Sequence, residues 1–238
     1  MIHSKQRNVD DPSTLVTNSS RRMFIGYSGV ALATAALVIV GCKKDDNNTP
    51  SSTAVSLGSG DVGVLNYAYA LEQLEAAFYA TVVADAAFNT TFTDATERRL
   101  LTDIRDHEIA HREFLKAALG AGAIKGLTPD FSTIDFKSRT SVLATAKTFE
   151  DLGVMAYNGA GKLFTNSGAG LDYLLLAGKI VSVEARHAAW IADRISPGSF
   201  SATTNAQGLD TAMEPTAVLT AAKPFIKDTI DASKLPTA

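Results

Sequence analysis

Two long amphipathic patterns in this chain are broken at their centres in the same way. Residues 95–119 and 169–195 carry apolar side chains at helical spacing, but each apolar stripe is interrupted by Glu and, three residues later, by His. The two pairs are Glu108 with His111 and Glu184 with His187. Side chains three residues apart lie next to each other on a helix. Each helix therefore presents a carboxylate and an imidazole on the face that it must bury.

A metal ion is the simplest reason for burying these pairs. An ionised carboxylate costs several kcal/mol to bury unless it is paired or bound to a metal. Composition alone gives roughly 0.13 Glu-x-x-His pairs per chain, whereas this chain has two. One isolated pair would favour a surface Glu beside a hydrogen-bonded His; two matched pairs favour a shared metal site. His107 lies off the stripe, and we expect it at the surface or against a ligand.

The other two predicted helices, residues 62–86 and 139–163, each supply a further carboxylate. A tyrosine follows each carboxylate after two helical turns, so both side chains share one face. The pairs are Glu72 with Tyr79 and Glu150 with Tyr157. Each Glu precedes a Glu-x-x-His pair by 36 or 34 residues. This spacing indicates one helical hairpin used twice, with Asp61 as a plausible N-cap of the first helix.

Several assignments stay open at this level. Glu75 lies one turn from Glu72 and could replace it as a ligand, add a further carboxylate, or be exposed. Tyr79 and Tyr157 could donate hydrogen bonds that fix the carboxylates, or simply pack in the core. The third helix contains several glycines, which weaken a helix but would let another helix approach closely.

Composition excludes several classes of protein. The chain has 238 residues, 46% of them hydrophobic, and a net charge of −3. These values exclude wholesale disorder and a strongly basic nucleic-acid binder. The single cysteine, Cys42, excludes a disulfide framework and a thiolate metal site. No phosphate loop or nucleophile turn is present, and no run alternates like a strand. We therefore expect no sheet of consequence, although residues 215–230 could add a short helix.

The N-terminal residues have the pattern of an export signal. Arg21 and Arg22 precede an apolar run that ends at Gly41, directly before Cys42. The region resembles a twin-arginine signal followed by a bacterial lipoprotein box. We expect residues 1–41 to be removed and Cys42 to carry lipid, with an uncleaved membrane anchor as the alternative. Residues 42–60 are polar and rich in Ser and Thr, which predicts a flexible tether.

The carboxylates and histidines together resemble the ligand set of the ferritin-like di-iron carboxylate proteins. That set has one Glu from each of two helices and Glu-x-x-His from each of the other two. The residues around Glu72 and Glu184 are similar to an exported branch that includes desiccation-related proteins. The resemblance implies an all-α fold, with an antiparallel four-helix bundle at residues 61–195 and a C-terminal extension at 196–238.

The resemblance also implies what the site would bind. Two Fe ions, or Mn, would lie in the core with Glu108 and Glu184 bridging or chelating. Glu72 and Glu150 would be terminal ligands, and His111 and His187 would bind one metal each. Open positions would accept dioxygen or peroxide, giving an oxidase, a peroxide scavenger or a metal-handling protein of the cell envelope. A non-catalytic, stress-protective envelope protein is the alternative. We expect membrane attachment through Cys42, no nucleic-acid partner, and a possible homodimer.

Overall fold

Helices make up most of residues 54–237, the part of the chain that the computed structural model describes. The elements, in chain order, are β1 (Val55–Ser56), α1 (Gly60–Ala84), α2 (Phe88–Thr91), α3 (Ala95–Leu119), α4 (Arg139–Ala160), α5 (Ala169–Ile195), α6 (Pro215–Ala222) and β2 (Ile230–Asp231). The predicted all-α class is confirmed. The export signal and Cys42 lie outside the described residues.

The bounds of α3 and α5 coincide with those that the sequence predicts. Helix α3 begins after Asp94, whose carboxylate accepts a hydrogen bond from the backbone N–H of Thr96, as an N-cap does. Helix α4 begins after Ser138, which caps Ser141 in the same way. Its α-helical part ends at Ala160, and one tighter turn continues to Leu163. Helix α1 begins and ends two residues earlier than predicted.

The predicted N-cap of the first helix is wrong. Helix α1 begins at Gly60 with Ser59 at the N-cap position, so Asp61 lies inside its first turn. The Asp61 carboxylate accepts hydrogen bonds from the backbone N–H and the hydroxyl of Thr165, at 2.8 and 2.7 Å. It therefore joins the start of α1 to the segment that follows α4, a contact between distant residues that local spacing does not encode.

The four long helices form two antiparallel hairpins joined by one long crossover. Asn66, near the start of α1, donates a hydrogen bond to the carbonyl of Gly122, just after α3, so these helices run in opposite directions. Glu97 and Arg139, at the starts of α3 and α4, form an ion pair at 2.6 Å. Helices α3 and α4 are therefore parallel, and residues 120–138 must travel along the bundle. One such crossover is typical of ferritin-like bundles.

Chain segments that precede α1 and follow α5 pack against the four-helix bundle. Strand β1 pairs in parallel with β2, and Leu57 is fully buried. The prediction of a flexible tether is therefore wrong for residues 54–60, because Leu57 gains burial and the Val55 amide gains a backbone partner at Thr229. Helix α6 belongs to the predicted C-terminal extension, and it packs against α4 of the bundle. None of the helices between residues 54 and 237 is long and apolar enough to span a bilayer.

Two glycines of α4 do not have the role that the sequence suggests. A Cβ at Gly159 would lie 1.9 Å from the carbonyl oxygen of Met213, so this glycine admits the backbone of the C-terminal extension. A Cβ at Gly153 would lie 3.1 Å from a carboxylate oxygen of Glu75. The space at these glycines therefore receives a loop and a side chain rather than another helix.

Candidate metal centre

The four long helices bring the six predicted ligand residues together in the bundle core. They are Glu72 from α1, Glu108 and His111 from α3, Glu150 from α4, and Glu184 and His187 from α5. All four carboxylates are fully buried, and His187 is only 5% exposed. Amphipathic helices orient these side chains inward, because each replaces an apolar residue on the stripe that packs against its neighbours.

The ligand atoms fall into two groups, one around each histidine. In the first, Nδ1 of His111 lies 2.9 Å from Glu184, 3.4 Å from Glu108 and 3.5 Å from Glu72. In the second, Nδ1 of His187 lies 2.9 Å from Glu108, 3.4 Å from Glu150 and 3.8 Å from Glu184. Within each group the candidate ligand atoms all lie within 4.8 Å of one another, so each can hold a metal ion.

Two carboxylates belong to both groups and divide their oxygens between them. Glu108 turns Oε2 towards His111 and Oε1 towards His187. Glu184 turns Oε1 towards His111 and Oε2 towards His187. This is the arrangement that two bridging carboxylates would have between two neighbouring ions. Each group also has one Glu and one His of its own: Glu72 and His111 in the first, Glu150 and His187 in the second. The two hairpins thus contribute equivalent residues, as the doubled sequence pattern predicts.

The hydrogen bonding of these atoms fits a metal better than it fits a protein network. Six carboxylate oxygens of the cluster and both Nδ1 atoms are buried without a hydrogen-bond partner among the described residues. The short nitrogen–oxygen distances lack hydrogen-bond geometry, as expected when lone pairs converge on a common point. Buried polar atoms normally have partners, and hard oxygen ligands with one imidazole per metal suit Fe or Mn.

The electrostatics of the cluster also reflect crowded, buried acids. Burial alone would lower the pKa of His111, but the carboxylates of Glu108, Glu184 and Glu72 raise it to about 12. The pKa of His187 is raised to about 12 in the same way. Burial raises the pKa of Glu150 to about 8 although His187 opposes the shift. Without metal, protons therefore provide the positive charge that the carboxylates require.

Each of the two tyrosines donates a hydrogen bond to the carboxylate of the opposite hairpin. The Tyr79 hydroxyl in α1 donates to Glu150 in α4 at 2.5 Å, and Tyr157 in α4 donates to Glu72 in α1 at 2.6 Å. Burial and the adjacent Glu150 raise the pKa of Tyr79 well above its usual value, so it keeps its proton. The sequence allowed these tyrosines either to pack in the core or to fix the carboxylates, and the structure favours the second role.

Glu75 is buried in the same core but belongs to neither group. It is 4% exposed, and its carboxylate occupies the space beside Gly153. Burial, followed by repulsion from Glu184 and Glu108, raises its pKa well above the usual value. The sequence left open whether Glu72 or Glu75 belongs to the site. In the structure, Glu72 lies among the clustered candidate ligand atoms, and Glu75 lies beside them.

His107 contacts the site at a point that periodicity could not single out. Its Nδ1 lies 2.9 Å from Nε2 of His187, and the two rings stack with centroids 5.2 Å apart. Nδ1 of His187 faces the carboxylates, and its other ring nitrogen, Nε2, contacts His107. Such contacts fix the orientation of a ligating imidazole. The sequence allowed this position for His107 but gave no reason to prefer it over an exposed one.

Comparison with known proteins agrees with this geometry. A family model described as a ferritin-like domain matches residues 60–197, which is more than half of the chain. No curated protein matches the sequence. The matched residues span all four long helices and all six clustered residues. The fold, the crossover and the family match agree, and the chain belongs to the ferritin-like domain family.

Proposed function

We propose that this protein binds two Fe or Mn ions and uses them for redox chemistry with dioxygen or peroxide. The observation that carries the proposal is the division of the Glu108 and Glu184 oxygens between two buried groups. A purely structural network would satisfy these atoms with hydrogen-bond donors. The proposed ligands are Glu72, Glu108, His111, Glu150, Glu184 and His187.

The bound ions would supply the electrons, and the chain's own residues would control their surroundings. Two Fe²⁺ ions that each lose one electron can convert dioxygen and two protons to hydrogen peroxide, or hydrogen peroxide and two protons to water. Glu108 and Glu184 would hold both ions at once. Tyr79 and Tyr157 fix the two outer carboxylates, and the surrounding apolar core limits access of water.

Elemental analysis of the purified full-length chain tests the proposal. We expect about two equivalents of Fe or Mn, and loss of metal in Glu108→Ala and His187→Ala. Glu113→Ala is the matched control, because Glu113 is an exposed glutamate of the same helix α3. If the two core variants bind as much metal as the control, the ligand assignment is wrong. A folded, metal-free parent would instead support the non-catalytic protective role.

The choice between neighbouring carboxylates has its own test. Glu72→Gln should reduce metal content, whereas Glu75→Gln should retain about two equivalents, because Glu75 lies outside both groups of ligand atoms. Both substitutions keep the shape of a buried side chain in α1 and remove one carboxyl group, so each controls for the other. Reduced metal content in Glu75→Gln alone would reverse the assignment.

We also propose that the protein is attached to the membrane of the cell envelope. The support is the twin-arginine pattern and the Gly41–Cys42 junction in the sequence. Cys42→Ser should abolish incorporation of labelled fatty acid and release the protein from the membrane fraction. Retention of the variant in that fraction without lipid would favour the alternative of an uncleaved N-terminal anchor.

A further inference from the structure

An apolar cavity lies inside the bundle beside the candidate metal centre. Its inner wall contains Ala68, Leu115, Tyr157 and Ile180. Three of these lie four residues from Glu72, His111 and Glu184 respectively, which is about one helical turn, or ~6 Å along each axis. The hydroxyl of the fourth, Tyr157, donates a hydrogen bond to Glu72. The cavity is therefore the layer of the core next to the group around His111.

Small side chains from all four long helices create this cavity. Alanines stand where larger apolar residues would fill the core: Ala68 in α1, Ala118 in α3, Ala156 and Ala160 in α4, and Ala177 in α5. The cavity volume is about 20 Å³, and one water molecule needs ~10–15 Å³ on this scale. The cavity thus fits a molecule of one or two heavy atoms and excludes a long chain.

The cavity opens to the surface between α3 and α5. The lining residues on this side, including Phe114, Ala118, Tyr173 and Ala177, are partly exposed, whereas those of the inner wall are buried. The cavity is therefore lined almost entirely by carbon atoms, and its inner wall lies about one helical turn from Glu72. Hydrogen peroxide would lose its hydrogen bonds to water on entering, at a cost of several kcal/mol. Dioxygen has no such hydrogen bonds to lose.

We propose that this cavity admits dioxygen, in preference to hydrogen peroxide, to the Glu72 and His111 side of the centre. The inference rests on the proposed function for its chemistry, since it names which of the two oxidants the site uses. The competing occupant is one water molecule, because the hydroxyl of Tyr67 in the same lining has no hydrogen-bond partner within residues 54–237.

Xenon binding tests the cavity without any metal. Dry apolar cavities bind xenon, so crystals of the metal-free full-length chain under xenon pressure should show a xenon atom among Ala68, Leu115 and Ile180. Ala118→Phe should remove that atom by filling the mouth. Ala117→Phe is the matched control, because Ala117 is the exposed neighbour on the same helix. No xenon in the parent, or an ordered water bonded to Tyr67 there, would overturn the proposal.

Oxidation rates test the choice of oxidant in the Fe²⁺-loaded protein. Ala118→Phe should slow oxidation by dioxygen about tenfold or more relative to Ala117→Phe, while oxidation by hydrogen peroxide stays unchanged. Equal rates with dioxygen in both variants, or equal slowing with both oxidants, would contradict the proposal. If Ala118→Phe does not fold, Ala177→Phe repeats the test, because Ala177 lines the same opening from α5. A parent that binds neither Fe nor Mn would refute the proposed function, while the xenon result would still stand on its own.

Discussion

At the scale of single residues, Tyr79 and Tyr157 connect the two hairpins through the carboxylates they hold. Tyr79→Phe and Tyr157→Phe should each weaken metal binding by about 10- to 100-fold, the usual effect of losing a group that orients a ligand. Tyr67→Phe is the control, because its buried hydroxyl has no hydrogen-bond partner to lose in the part of the chain that the structure describes. Titration of metal into each variant, with circular dichroism to check folding, measures the effect. Equal affinities in all three variants would mean that the tyrosines only fill space.

Protonation of the ligands should make metal binding depend on pH. At pH 7, His111 and His187 with pKa values of about 12 carry protons, and Glu150 with a pKa of about 8 is mostly protonated. Ligation requires neutral imidazoles and ionised carboxylates, so binding should release about three protons or more. The apparent affinity should therefore rise as pH increases from 6 to 8.

Calorimetry in two buffers of different ionisation enthalpy counts the released protons. The same experiment on Glu113→Ala is the control, because this exposed residue takes no part in the cluster. Binding without proton release would mean that the histidines are already neutral in the metal-free protein.

At the scale of elements, Gly159 of α4 and Gly178 of α5 have opposite packing environments. Gly159→Ala should destabilise the protein by about 1–3 kcal/mol, because its Cβ would meet the Met213 carbonyl oxygen at 1.9 Å. The strain should also break the hydrogen bond from the Met213 amide to Met155, now 3.0 Å long. Gly178→Ala in α5 should stabilise the protein by ~0.5–1 kcal/mol, since no described atom beyond its own stretch of helix lies within 4 Å of its Cβ position.

Urea unfolding midpoints of the two glycine variants separate these effects. Both changes add one methyl group to a long helix, and the large difference between the two sites is in the neighbours that the methyl group meets. Equal stabilisation by the two changes would show that the C-terminal extension can move away from α4 at little cost.

At the scale of the whole molecule, the metal centre should make stability depend on metal concentration. Four buried carboxylates and two histidines lie at the meeting point of four helices, so an ion bound there stabilises only the folded chain. At a free metal concentration 1,000 times the dissociation constant, linkage gives about 4 kcal/mol. A chelator should therefore lower the melting temperature of the parent. Glu108→Ala should melt at the same temperature with and without chelator, and a parent that did likewise would argue against a bound metal.

The sequence by itself determined the helices and which acidic and imidazole side chains their buried faces carry. Helical periodicity is local, so apolar spacing located α3 and α5 to the residue. The doubled Glu-x-x-His pattern is also local, and it identified Glu108, His111, Glu184 and His187 before any contact was known. A pattern of this kind states which face of a helix is buried and which residues share it.

Only the tertiary structure decided which distant groups meet. Glu72 and Glu75 lie one turn apart on similar faces of α1, so the choice between them depends on where α3 and α5 pack. Tyr79 and Tyr157 share a face with the Glu of their own helix, yet each bonds to the Glu of the other hairpin. The alanine-lined cavity and the pairing of β1 with β2 likewise join segments far apart in the chain. Local spacing specifies faces, but partners are chosen by the packing of whole helices against one another.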